Sequence, residues 1–211
     1  MLSATYDYII YSDGGVAETG SAASAAIVEI KEQSRISNTG SKKHKIVCYL
    51  GEKDISVMEA EIFAGIIGLT CVRVIEKRIV IVGSTPIKVL WCCDNKVVTD
   101  AAGHFITKWQ SNNWKNAQNK RVAYMKLWQD FLSLSKGIQL DVRHIKSHSG
   151  NRQNEMCDRA CRWVQSKGES LLEQGEGKIG GQKNVLNAWL LLDMSRGLTV
   201  NALKRKIIHV G

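Results

Sequence analysis

Apolar and polar positions along this chain fall into two alternating rhythms. Runs rich in β-branched and aromatic residues, bounded by turn residues, predict strands over residues 6–12, 23–30, 45–50, 88–93 and 139–145. Apolar positions recurring every three to four residues predict helices over 57–76, behind a Ser56 N-cap, and over 96–102, 122–134 and 154–166. The three early strands are separated by turns, which suggests an antiparallel meander. Later strands alternate with helices, which suggests parallel additions. The expected fold is therefore α/β, a mixed five-stranded sheet flanked by helices. Residues 78–82 read as an extra strand or an extended helix end, and Pro86, the only proline, falls in a turn before the fourth strand.

The rhythm changes near residue 167. Residues 168–183 are rich in Gly, Glu, Gln and Lys and read as a linker. Beyond it, Val185, Leu186, Trp189, Leu190 and Leu192 form one amphipathic stretch, Ser195-Arg196-Gly197 breaks it, and residues 200–208 form a second. The expected organisation is a main domain over 1–167, a linker over 168–183 and a C-terminal helical hairpin extension over 184–211. The extension is expected to pack on its own core, with self-association or a protein partner as alternatives.

Acidic residues occupy distinctive places in this pattern. Asp13 and Asp94 each close a β-type run, so their carboxylates would emerge at strand carboxyl ends, where open α/β sheets usually place their sites. Glu61 lies on the first long helix. Asp158 lies early in the last one, which follows the loop Lys146-Ser147-His148-Ser149-Gly150. Glu59 competes with Glu61 but lies two positions away, on another helix face, and Glu155 reads as a first-turn acid complementing the helix dipole. Any one of these acids alone is an ordinary cap or solvated surface residue, and His148 alone an ordinary surface histidine; their joint order is the signal. Clustered carboxylates about 4 Å apart repel by about 4 kcal/mol at an effective dielectric near 20. Oxygen ligands of this kind suit Mg2+ or Mn2+ better than zinc.

Strand-Asp13-Gly14, helix-borne Glu61, strand-end Asp94, Lys146-x-His148-x-Gly150 and Asn154-Glu155-x-x-Asp158 together resemble ribonuclease HI, from about Asp7 to Lys167. Trp109, Trp114-Lys115 and Leu127-Trp128-Gln129 resemble that family's substrate-binding segment. The resemblance implies the RNase H-like fold and an endoribonuclease that cuts the RNA strand of RNA/DNA hybrids, leaving 5′-phosphate and 3′-hydroxyl ends. It implies that Asp13, Glu61, Asp94 and Asp158 hold two Mg2+ ions, Mn2+ being able to substitute, with His148 assisting proton transfer or product departure. Three departures weaken the expected grip on substrate: Val57-Met58 stand where many members carry two asparagines, Lys96 where glutamine is common, and Trp109 to Trp114 is a short interval. The absence of an attached polymerase suggests a free-standing enzyme.

Composition agrees with a nucleic-acid partner. The formal charge of +9 and pI near 9.3 favour a polyanion. Lys108, Lys115, Lys120, Arg121 and Lys126 cluster without an intervening acid, interleaved with Trp109 and Trp114, as phosphate contacts beside an aromatic platform would be. The competing reading is a solvated helix face whose tryptophans belong to the core. Gly14 and Gly15 main-chain groups, with Asn95, are candidates for sensing the 2′-hydroxyl, and Ser56 for a phosphate of the DNA strand. The glycines would let a substrate backbone approach closely.

Six cysteines lack a paired CxxC spacing and read as reduced core thiols. Cys157 and Cys161, one turn apart, would with His144 offer a zinc set as a minor alternative. Neither a signal peptide nor a bilayer-length apolar run is evident, so the expected location is intracellular, cytoplasmic or nucleic-acid associated, without secretion or a membrane partner. Two other functions are open: a DNA-acting nuclease of the same superfamily, resolvase- or transposase-like, and a nucleic-acid-binding module that kept the fold and lost turnover.

Overall fold

A computed structural model describes residues 6–31, 44–51, 55–78 and 86–174, with side chains in all but 44–51, 77–78, 164 and 167–174. Five strands, β1 (Tyr8–Val16), β2 (Ala22–Ile30), β3 (His44–Gly51), β4 (Ile87–Cys93) and β5 (Ile138–His144), form one sheet in the order β3-β2-β1-β4-β5. The β3-β2-β1 half is antiparallel, while β4 and β5 add in parallel. This is the mixed sheet expected from the sequence.

Helix α1 (Val57–Arg78) covers one face and α5 (Arg152–Gln174) the other. From Ala60 to Val72 every residue of α1 is buried. A helix buried all round lies in the core rather than on it, here between the sheet and α4 (Met125–Ser135). Two glycines make that depth feasible. A Cβ at Gly65 would lie 2.4 Å from the Trp91 ring, and one at Gly68 2.4 Å from Ile10. Trp91 is fully buried, stacks at a tilt 5.0 Å from Phe131 and donates its indole N–H to Ser12 Oγ at 2.8 Å. On the opposite face the small side chains of Cys157, Ala160 and Cys161 pack against Ala23, Ala25 and Ile27 of β2.

α1 starts in a capping box. Ser56 Oγ accepts from the Glu59 N–H at 3.2 Å, and the Glu59 carboxylate accepts from the Ser56 N–H at 2.9 Å. Glu59 is thereby occupied at the helix start. The helix extends to Arg78, and the rest of the 78–82 stretch lies outside the described residues. So do residues 175–211, which hold most of the expected linker and all of the expected hairpin; α5 itself runs to Gln174.

Several boundaries differ from the sequence reading: β1 runs on past residue 12 to Val16, so that Asp13 lies within it, and α5 runs past 166 through the first residues of the expected linker to Gln174. The helix expected over 96–102 runs on: α2 (Lys96–Asp100) passes through a π-helical turn (Ala101–Phe105) into α3 (Ile106–Ser111). The helix expected from residue 122 begins at Met125. Val122 instead donates its N–H to the Trp114 carbonyl at 2.9 Å, and Tyr124 takes a left-handed conformation with φ 55°. Lys108 and Lys126 stand on α3 and α4, while Lys115, Lys120 and Arg121 between them lie on a turn rather than a helix face, pinned by the Lys115–Arg121 bridge and by Asn116 Oδ1, which accepts from the N–H groups of Gln118 and Lys120. Among the described residues no helix is long and apolar enough to cross a membrane.

Candidate active site

Strand register creates the site. β1 and β4 run parallel with Ser12 beside Cys93, so the next residues, Asp13 and Asp94, leave that pairing side by side. Alternation along β1 sends Ser12 and Gly14 to the buried α1 face and Asp13 to the other. The β1 backbone lies close to α1 there. A Cβ at Gly14 would sit 2.3 Å from the Ala60 carbonyl carbon and 2.4 Å from the Glu61 nitrogen, and Ser24 Oγ donates to the Ala60 carbonyl at 2.7 Å. The close approach that Gly14 permits is therefore made by α1, which brings Glu61 to the strand ends. This replaces the sequence expectation of a substrate backbone against that glycine's Cα.

Asp13 and Glu61 feel their neighbouring carboxylates. Burial, then Asp94, then Asp158 push the Asp13 carboxyl up to about 7, against a main-chain hydrogen bond from Gly14 and the nearby Arg162. Glu61 is 5% exposed, and burial, followed by Asp13 and Asp94, raises it to about 9, against hydrogen bonds from Cys93 and Asn95. Both shifts show the same deficiency: negative charge is held out of water with too little positive charge beside it. Cys93 Sγ lies 3.7 Å from Glu61 Oε2, and one ligand atom from each of Glu61, Cys93 and Asp94 lies within 4.8 Å of the others. A cation fits this donor set.

Each acid has its own holder. Asp94 Oδ2 accepts from Asn154 Nδ2 at 2.9 Å, its carbonyl lies 3.1 Å from His144 Nε2, and the Ile145 N–H donates to the Cys93 carbonyl at 3.0 Å. Asn154 is buried, and its Oδ1 has no hydrogen-bond partner. Asp158, one turn further along α5, accepts from Arg162 Nε at Oδ1, 2.8 Å away, and from Nη2 at Oδ2.

The remaining sequence candidates are dispersed. His148 is exposed on its loop with φ 50°, in the left-handed region that non-glycine residues seldom adopt. Asn95 Oδ1 caps α2 through the Val97 and Val98 N–H groups at 3.1 and 3.2 Å. Ser56 Oγ lies 3.0 Å from the Tyr124 hydroxyl. The Gly15 carbonyl accepts from Gln165 Nε2 at 2.9 Å. Trp109 is half-buried between Phe105 and Trp128, with ring centroids 6.0 and 6.1 Å away, and Trp114 is half-buried with φ 61°. Lys115 and Lys120 are exposed on the turn. Among the described residues, the thiols of Cys157 and Cys161 donate to the Tyr11 and Asp13 carbonyls at 3.4 and 3.3 Å and join no cluster of metal-ligating type.

Three site residues escaped the sequence reading: Cys93, Asn154 and Arg162. Each had a faint signal. Cys93 adjoins Asp94, Asn154 opens the Asn-Glu-x-x-Asp pattern, and Arg162 is four residues after Asp158, the spacing of a helical ion pair.

Comparison with known proteins gives this geometry a lineage. A ribonuclease HI from a Synechocystis species is 30% identical over 95 residues, covering 44% of this chain and 59% of that protein. The matched stretches span about half the length of the first curated relatives. In solved structures, LC9-RNase H1, a type 1 RNase H with the type 2 active-site motif, superposes with a TM-score of 0.59 at 17% identity, covering 93% of this chain and 84% of that one. A foamy viral protease-reverse transcriptase in complex with RNA/DNA hybrid gives 0.55 at 15% identity, over 75% of this chain and 20% of that one. At such identities these two show the fold. Residues 5–165 match the RNase H family model, more than half of the chain, and the protein belongs to the RNase H family.

Proposed function

We propose that this protein is a divalent-metal-dependent endoribonuclease that hydrolyses the RNA strand of RNA/DNA hybrids, leaving 5′-phosphate and 3′-hydroxyl ends. What carries the reading is the side-by-side register of Asp13 and Asp94 on parallel β1 and β4, with Glu61 and Asp94 within ligand reach of one another and Asp158 acting on Asp13. Family membership and a structural neighbour held with RNA/DNA hybrid support the substrate class.

Asp13, Glu61, Asp94 and Asp158 would hold two Mg2+ ions, or Mn2+ in their place. The fit rests on the Asp13 and Glu61 carboxyls, raised by burial and neighbouring carboxylates, and on the donor group around Asp94, in which two carboxylates stand beside the Cys93 thiol. Bound there, such ions supply Lewis acidity to the attacking and leaving oxygens of a phosphoryl transfer.

The chain's own residues do the positioning. Asn154 and the Asp94 carbonyl contact with His144 hold Asp94 at the strand end. Asn95 ties Glu61 to the start of α2. Main-chain groups of Gly14 and Gly15, with Asn95, would meet the RNA ribose, and Ser56 a phosphate of the DNA strand. The turn bearing Trp114, Lys115 and Lys120, with Trp109 behind it, would carry stacking and phosphate contacts. His148, exposed on its loop, would pass protons or ease product departure.

The test is cleavage of end-labelled duplexes of one sequence, RNA/DNA hybrid, double-stranded RNA, double-stranded DNA and DNA with a single ribonucleotide, in Mg2+ or EDTA. Mg2+-dependent cutting of the hybrid's RNA strand alone is the expected result. Cutting of DNA would move the assignment to a resolvase-like nuclease, and binding without cutting to an inactive module.

A further inference from the structure

Among the described residues, the four site carboxyls differ in the charge of their hydrogen-bonding partners. Glu61 meets a thiol and an amide, and Asp94 meets the Asn154 amide. Asp158 alone is engaged by a guanidinium, which takes both of its oxygens. We propose that Arg162 is a resident cation at the Asp158 corner, which a divalent ion must displace, so that this residue sets the affinity of the second ion. The inference rests on the two-ion reading above.

The arrangement suits displacement. Arg162 follows Asp158 by one helical turn, a spacing at which the fork reaches a carboxylate without distorting the helix. The arginine side chain is 65% exposed and Asp158 25%, so the pair opens to water rather than to the core. An exposed pair of this kind is weak and easily exchanged. Arg162 thus lends the Asp158 corner part of the compensation an ion would bring. Among the described residues no ion pair engages Asp13, Glu61 or Asp94, so the first ion displaces no bound side-chain cation and the second does.

Mn2+ binding to the full chain, followed by electron paramagnetic resonance of the free ion and by calorimetry without nucleic acid, tests this in wild type, R162Q, R162K and D158N. Wild type should take one ion tightly and one weakly. R162Q should tighten only the weak ion, by about two- to fivefold, the range set by the worth of an exposed ion pair. R162K, which keeps the charge and loses the planar fork, should fall between them, and D158N should lose the weak ion. A wild type with one ion and an R162Q with two would support the proposal equally. Unchanged or weaker binding of the second ion in R162Q overturns it and leaves the two-ion reading standing. A single ion in every variant overturns both.

Discussion

Asp13→Asn should stabilise the metal-free protein at alkaline pH while removing its activity. The Asp13 carboxyl is raised from 3.8 to about 7, with burial as the largest cause and Asp94 and Asp158 after it. Below pH 4 the group is protonated in folded and unfolded chains alike and has no effect on stability. Between 4 and 7 the unfolded chain has released its proton and the folded chain has not, so stability falls as pH rises. Above 7 the loss is complete. At about 1.4 kcal/mol for each pH unit, a span of roughly three units makes the ionised carboxylate cost up to about 4 kcal/mol. Asparagine keeps the shape and an oxygen for the Gly14 N–H, and it removes the charge. We expect a gain of about 2–4 kcal/mol at pH 8, or roughly 5–10 °C in Tm for a chain of this size. Melts followed by circular dichroism in EDTA, from pH 4 to 9, measure it, and Mg2+ should narrow the gap by stabilising wild type alone. A variant that melts lower than wild type at pH 8, or whose advantage is the same at pH 4, refutes the electrostatic account of this site.

Asn154→Ala should lower hybrid cleavage about 10- to 100-fold, the usual loss when a residue that orients a metal-holding carboxylate is removed, with under 1 kcal/mol change in urea denaturation because Oδ1 is already unpaired. A loss of several kcal/mol with normal specific activity would assign Asn154 to the core instead. Gly14→Ala places a methyl 2.3 Å from the α1 backbone and should destabilise by about 2–4 kcal/mol; a wild-type melting curve would count against the close packing of β1 on α1. Ser12→Ala strips the acceptor from the buried Trp91 N–H and should cost about 1–3 kcal/mol, read from chemical denaturation.

Much of the fold was legible because its signals are local. Strand positions came from short runs of β-branched residues, and helix positions from the recurrence of apolar residues every three to four places. Strand-end placement marked Asp94 for the same reason, whereas Asp13, expected to close its strand, lies within β1 where the pairing with β4 ends. Helix geometry put Glu59 and Glu61 on different faces and the family resemblance favoured Glu61, and the Ser56–Glu59 capping box now explains why the nearer acid stays at the helix start. Where the sequence reading slipped, the deciding contact was distant. The helix expected from residue 122 starts late because the Val122 N–H is committed to Trp114. Gly14 looked like room for a ligand, yet α1 fills that room.

What the sequence determined by itself was which carboxylates lie on which strands and helices, since that depends on hydrophobic period and neighbouring turn residues. Only the tertiary structure decided that Ser12 pairs with Cys93 and so sets Asp13 beside Asp94. It alone decided that Asn154 reaches Asp94 across 60 residues, and that burial raises two of the acids. Register, burial and the field of neighbouring charges depend on every element being in place at once, and no stretch of chain read alone contains them.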